Sequence, residues 1–358
     1  MDTFFKKFTT ALLMMGIAST ACAAAGNANS AGMFRVNGVF FGVDALSLQP
    51  RNDDLDYVTV FPDTSTGSVS TKAIPTSYDW GFNLFAGIKF GNNNDLTLDW
   101  WRLHTNDSSS IPNQTESLVS MLVWQTQPRW LFTDTWQDIN AKVDFKLDDV
   151  SLVLGHTVNF NNPWSLRFGG GLEYAQLDSD MQVLATYVVP SAFGSTYGFE
   201  SENDFKGIGP RVESNLIYHL PYNFALFVDG DAALLIGRRD LGFDSLRTQG
   251  GASTVNGFPS INFTTPHIVV PHLGMRIGVS YSYYFSQAGG DYSCNVLGLE
   301  AGWQADTFIN AIERVEQNTV SELPQLVGGI SSSSVTTKVS SFSDQGLFFG
   351  VNFSSNWL

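Results

Sequence analysis

At 358 residues and a formal charge of −15, with 34 acidic side chains against 19 basic ones, the chain lacks the basic surplus that nucleic-acid binding needs, which argues against that class of partner. Its two cysteines, Cys22 and Cys294, fall on either side of an expected cleavage site, leaving no intrachain disulfide and no cysteine-based metal site. No later segment reaches the roughly 20 apolar residues of a membrane helix; the best, 224–236, is interrupted by Asp229 and Asp231.

The N-terminus reads as a secretory signal. Lys6 and Lys7 form the positive region, residues 11–18 the short apolar one, and Ala21-Cys22-Ala23 or Ala23-Ala24-Ala25 the small-residue cleavage site. An acylated Cys22 is the rival reading, but Ser19 stands where such signals usually carry Leu. Residues 1–25 are therefore read as a removed signal peptide and 26–358 as one domain.

From there the apolar residues recur with period two, the strand period. The runs cover 36–48, 78–90, 96–104, 139–147, 164–174, 208–218, 224–236, 273–283, 297–303 and 347–353. In the second, Tyr78, Trp80, Phe82, Leu84, Ala86, Ile88 and Phe90 share one face. In the fourth, Ile139, Ala141, Val143, Phe145 and Leu147 oppose Asn140, Lys142, Asp144 and Lys146. Parity is ambiguous at the adjacent Trp100 and Trp101, where a bulge is expected. Many runs reach about 10 residues, long for soluble strands and right for tilted membrane strands. Trp100, Trp101, Trp164, Trp303, Tyr283 and Tyr284 are candidates for interfacial girdles.

Connections alternate in length. Long polar ones cover about 50–77, 105–137, 179–204, 238–266 and 306–343; short ones lie at 91–94, 161–163, around Pro221 and around Gly289 and Gly290. Outer-membrane barrels have short periplasmic turns and longer surface loops. The reading is an all-β, antiparallel transmembrane β-barrel of about ten strands, with twelve if the apolar 117–124 stretch supplies a hairpin. Within the last long loop, 307–316 has a helical pattern through Phe308, Ile312 and Val315, and the Ser-rich 331–341 reads as loop. The final strand puts Leu347, Phe349, Val351 and Phe353 on one face. Gln345 opens the polar–Gly–x–x–aromatic–x–hydrophobic pattern read by the outer-membrane insertion machinery.

Several short pieces are similar to the Legionella-type major outer membrane proteins, a family of pore-forming barrels. They are Asp138-Ile139-Asn140 with Val143-Asp144-Phe145, 165–172 (SLRFGGGL), 207–212 (GIGPRV), 298–304 (GLEAGWQ) and Gln345-Gly346-Leu347, in family order. The resemblance implies an outer-membrane barrel, a porin-like role and surface exposure. Some members look cysteine-linked between chains; here only Cys294 would serve.

By strand parity the inward-facing charges are Lys89, Lys142, Asp144, Lys146, Arg167, Glu173, Arg211, Glu213, Asp229, Asp231, Arg276 and Glu300. In a wide lumen they would set ion selectivity; in a ten-stranded one they can instead pair and fill it. The Asp53, Asp54 and Asp56 cluster lacks a calcium-loop pattern and reads as solvated. The five histidines, His104, His156, His219, His267 and His272, sit in no catalytic motif, so no enzyme, cofactor or metal role is expected. The leading function is passive diffusion of ions or small polar solutes with a cation preference; the alternative is a non-conducting barrel acting through its surface loops in adhesion or envelope structure. Expected partners are outer-membrane lipid and lipopolysaccharide, the insertion machinery through the 345–353 strand, and a homo-oligomer.

Overall fold

The computed structural model describes residues 36–357 except 62–69, 92, 113–117, 121–135, 161–162, 190–191, 250–259, 287–292 and 321–331. The expected signal peptide and the turn at Gly289 and Gly290 lie outside the described residues.

Ten strands close into an antiparallel barrel: β1 (Val36–Asn52), β4 (Asp79–Phe90), β5 (Asn94–Pro112), β7 (Trp136–Phe160), β8 (Trp164–Val189), β9 (Ala192–His219), β10 (Phe224–Gln249), β11 (Ile261–Ser286), β12 (Ser293–Val320) and β13 (Ser332–Trp357). Each pairs with its neighbour in sequence, and β13 closes the ring on β1 through Val43 opposite Val351. Closure removes every free edge, which is what a strand protein needs to satisfy its backbone in lipid. β2 (Asp56–Phe61), β3 (Ser70–Ala73) and β6 (Leu118–Ser120) make a separate small sheet, so the described part of the 117–124 stretch, 118–120, pairs outside the barrel; the rest of that stretch lies outside the described residues.

The strands run far beyond the expected boundaries. β8 has 26 residues and β9 has 28, and segments read as long loops, 179–204 above all, are largely continuous ladder. At roughly 3.3 Å per residue and a tilt of about 40°, such strands rise roughly 65 Å, against an apolar band of about 25 Å. The wall therefore has a membrane part and a tall extension.

One parity serves both parts. In β8, Phe168, Leu172 and Tyr174 point outward and are exposed; beyond them the same face carries Gln176, Asp178 and Asp180. The boundary is level across β8, β9 and β10: Tyr174 lies opposite Ile208 and Ile208 opposite Ile236, while Gln176 lies opposite Lys206 and Lys206 opposite Arg238. Outside, lipid gives way to water at this line. Inside, the pattern inverts: polar Ser165, Arg167 and Glu173 are followed by buried Ala175, Leu177, Met181 and Val183.

This inversion corrects the 139–147 run. Val143, Phe145 and Leu147 face the interior and are buried, so Lys142, Asp144 and Lys146 face outward. The run lies in the extension, where the outer face meets water and the apolar face must turn inward. Asp144 accepts from Lys146 at 3.2 Å on that outer surface.

Other differences are local. Trp100 and Trp101 sit in unbroken register, Trp100 outward and Trp101 inward and buried, so no bulge occurs there and Trp101 belongs to no girdle. Tyr284 faces the interior cavity. Trp164, Trp303 and Tyr283 are exposed on the outer face, and Trp164 packs on Tyr218 at 4.6 Å. The 307–316 segment is strand, not helix: the ladder shifts between Phe308 and Ile312, with Asn310 in the left-handed region at φ 59°. That bulge brings Phe308, Ile312 and Val315 together in the interior, the juxtaposition that had looked helical. The Ser-rich 332–341 residues are part of β13.

Candidate functional site

The interior has two storeys. Nearest the short turns, a cavity of about 810 Å³ is bounded by Tyr222 and Asn223 of one turn and reaches up to Asp231, His272 and Gln304. Its wall carries Lys89, Asp99, Asp229, Arg276 and Glu300. Above it the side chains pack. Leu46, Leu103, Phe145, Leu177, Phe205, Leu235, Val270, Phe308 and Phe342, one from each barrel strand but β4, are 0–1% exposed. Phe145 of β7 meets Phe342 of β13 at 5.2 Å, two strands that are not neighbours in the wall. A water-filled passage through this layer would leave its lining side chains accessible, and they are not.

The extension's mouth is closed further by the chain after β1. Leu55, Tyr57, Val58 and Ile74 are buried in the same apolar cluster. Asp54, expected to be solvated, is buried; its carboxylate accepts from Lys338 at 2.9 Å and its carbonyl accepts from Arg314. Burial pushes the Arg314 guanidinium down to about 10.

The charged groups lie largely along the cavity wall itself, below the apolar layer. Arg167 donates to Asp95 through Nε at 3.0 Å and Nη2 at 2.5 Å, and through Nη1 to Glu213. Gly155 opposite leaves room for this reach, since a Cβ there would fall 2.5 Å from the guanidinium and displace it. Arg211 donates to Glu173 at 2.6 Å and lies 3.2 Å from Asp231. Arg276 donates to Asp44 at 2.7 Å and stacks on Phe348 with its carbon 4.0 Å from the ring centroid. Asn83 donates to Asp99 at 3.1 Å, and Asn352 to Glu300 at 2.7 Å. His272 Nδ1 lies 2.8 Å from Glu173 Oε1, its ring stacked on Phe308 at 4.1 Å.

Of the residues singled out from the sequence, Lys89, Arg167, Glu173, Arg211, Glu213, Asp229, Asp231, Arg276 and Glu300 face the interior, and Lys142, Asp144 and Lys146 do not. Sequence reasoning missed Asp44, Asp95, Asp99, Asp149, Asp306, Asp344 and His272. Asp149 was within reach, because it continues the inward parity of Phe145 and Leu147 two residues past the end of the run. The sequence offers no metal-ligand spacing, yet the fold brings the buried Asp149, Glu173 and His272 together with ligand atoms all within 4.8 Å of one another.

A family profile described as the Legionella pneumophila major outer membrane protein precursor matches residues 36–355. The chain belongs to this family. It is accordingly an integral protein of the outer membrane, with the apolar belt as its lipid-facing surface. Similar solved structures include the outer membrane protease OmpT of Escherichia coli, at 7% identity over 92% of this chain and 99% of that one, with a TM-score of 0.41. A Pseudomonas aeruginosa FadL homologue shows 8% identity over 90% and 91% with a TM-score of 0.25. The Pseudomonas putida toluene transporter TodX shows 8% over 89% and 89% with a TM-score of 0.22. At these values no residue correspondence follows. Comparison with curated proteins gives no match.

Proposed function

We propose that this family member is a closed barrel that works through its tall extension and surface loops, in adhesion or envelope structure, and is not an open diffusion pore. The observation that carries this reading is the apolar layer, whose inward side chains from nine of the ten barrel strands are 0–1% exposed. The charged groups below support it, because Arg167, Arg211 and Arg276 are each committed to carboxylates on other strands. One hydroxyl–imidazole contact borders the cavity, Ser165 Oγ 3.2 Å from His219 Nε2, but among the described residues no carboxylate is paired with that imidazole to orient it, and the reading is non-enzymatic.

A second reading, a cation-preferring porin, has its own support. The cavity on the turn side is wide and polar, and carboxylates outnumber cations along it. Such a lining attracts cations. For conduction the apolar layer would have to move.

Proteoliposome swelling separates the two. Refolded protein should cause no swelling in small sugars beyond that of empty vesicles. A strain lacking the protein should keep its solute permeability while losing surface attachment or envelope integrity. Swelling that follows solute size, or a permeability defect in the strain, would favour the pore. The lipopolysaccharide contact, the insertion-machinery contact through the 345–353 end of β13 and a homo-oligomer belong to the same proposal; detergent-free isolation in native lipid particles tests the last.

A further inference from the structure

We propose that Asp149, Glu173, Asp231 and His272 bind a single first-row divalent metal ion, of the zinc or manganese class, which clamps β7, β8, β10 and β11 together across the interior. The inference does not depend on whether the barrel conducts.

Asp149, Glu173 and His272 present ligand atoms all within 4.8 Å of one another, and Asp231 stands just outside that set on the His272 side. Nδ1 of His272 lies 2.8 Å from Glu173 Oε1 and 4.0 Å from both Asp149 Oδ2 and Asp231 Oδ2. Donors that share a metal at about 2.0–2.2 Å sit roughly 3.0–3.5 Å from one another, so small side-chain shifts bring Asp149, Glu173 and His272 into one shell, and a turn of the Asp231 side chain supplies the fourth ligand. One imidazole with three carboxylates is a donor set that suits these ions.

The second observation is independent of the clustering. Asp149 Oδ2 and Asp231 Oδ2 are buried without any hydrogen-bond partner, and they are the two atoms aimed at His272 Nδ1. The Asp149 side chain is 2% exposed and that of His272 1%. A protonated imidazole would satisfy Glu173 but leave both oxygens beyond hydrogen-bond range. A metal ion satisfies all three.

The surroundings are arranged as an outer shell. Arg211 holds Glu173 Oε2 at 2.6 Å and Asp231 Oδ1 at 3.2 Å, turning the other oxygen of each toward His272. Stacking on Phe308 fixes the imidazole plane. Gly274 makes room, since a Cβ there would fall 2.5 Å from Asp231 Oδ1. The divalent ion and Arg211 together offset the three carboxylates, while Asp306 Oδ1, 3.7 Å from His272 Nε2, adds an acidic group on the far side of the imidazole. Asp231 and His272 border the turn-side cavity, which supplies an entry route.

The test uses the full mature chain, isolated from membranes or refolded, with Zn2+ or Co2+ as probe. After dialysis, elemental analysis should find about one Zn2+ per folded barrel, and Co2+ should give a visible ligand-field band. Asp149→Asn should weaken Zn2+ binding at least tenfold while the barrel still shows the gel-mobility shift on heating that marks a folded state. Chelation should lower the temperature of that shift in the wild type and not in Asp149→Asn. His272→Gln should behave alike; if it fails to fold, Asp149→Asn together with the wild-type Co2+ band carries the test. No retained metal and no Co2+ band in folded wild type would overturn the proposal, as would undiminished binding in Asp149→Asn.

Discussion

Truncating Phe342 asks directly whether the upper interior is packed or wet. Its side chain is fully buried, 5.2 Å from the Phe145 ring and 6.5 Å from the Phe308 ring. Phe342→Ala removes about 100 Å² of buried ring surface, or roughly 2.5 kcal/mol at ~25 cal/mol per Å². If the surrounding rings relax only partly, a residual void of about 50–100 Å³ adds roughly 1–2 kcal/mol. The expected loss is therefore about 3–5 kcal/mol, measured by urea unfolding of the barrel in lipid vesicles and followed by tryptophan fluorescence. Ser343→Ala, one residue along on the outer face, should stay within about 0.5 kcal/mol. If the layer were a solvated channel, replacing a ring by a methyl there would expose less apolar surface and cost nothing. A Phe342→Ala change below about 1 kcal/mol would refute the packed interior.

Other outcomes follow from the same geometry. Arg167→Ala should cost about 3–5 kcal/mol in the same unfolding assay, because it strands the buried Asp95 and leaves Glu213 only Arg211 at 3.7 Å, while Arg167→Lys should recover part of the loss through charge but not the forked geometry. Lys142→Ala and Lys146→Ala should each change stability by less than about 0.5 kcal/mol, since both lie on the water-facing surface of the extension; a large loss from either would restore them to the lumen. On that surface, partial burial and the neighbouring Asp204 push the Asp178 carboxyl up to about 6. The folded state therefore holds this proton more tightly than the unfolded chain, and stability falls as pH rises from about 4 through about 6. Asp178→Asn should be more stable than wild type at pH 7.5 and should lose that advantage by pH 3.

Much of the barrel was legible because period-two alternation survives wherever one side of a strand meets lipid. Phe168, Leu172 and Tyr174 announce their face without any tertiary information. The 139–147 run misled for a physical reason: alternation reports that two faces differ, not which of them is inside. In the membrane the apolar face is outer; in the extension the same parity makes it inner, and nothing within Val143, Phe145 and Leu147 distinguishes the cases. The discriminating signal was charge density, since Lys142, Asp144 and Lys146 followed by Asp148 make a solvated row too dense for a narrow lumen. Strand length was underestimated for the same cause, because polar outer faces in 179–204 look like loop once lipid is assumed. Arg167, Arg211 and Arg276 were recognised as inward residues by parity. Their partners were not, because Arg276 with Asp44 and Arg167 with Asp95 join residues 232 and 72 positions apart in the chain. His272 carried no local motif, and its significance comes only from the closure that places β11 beside β10 and across from β7 and β8.

Single-channel conductance of the refolded mature chain in a planar bilayer, under a salt gradient, tests the closed interior most directly. With folding and insertion verified by the heat-dependent mobility shift, the sealed barrel gives no stable steps at moderate voltage. Regular steps with a cation-selective reversal potential would contradict it and assign the conduction to the carboxylate-lined cavity.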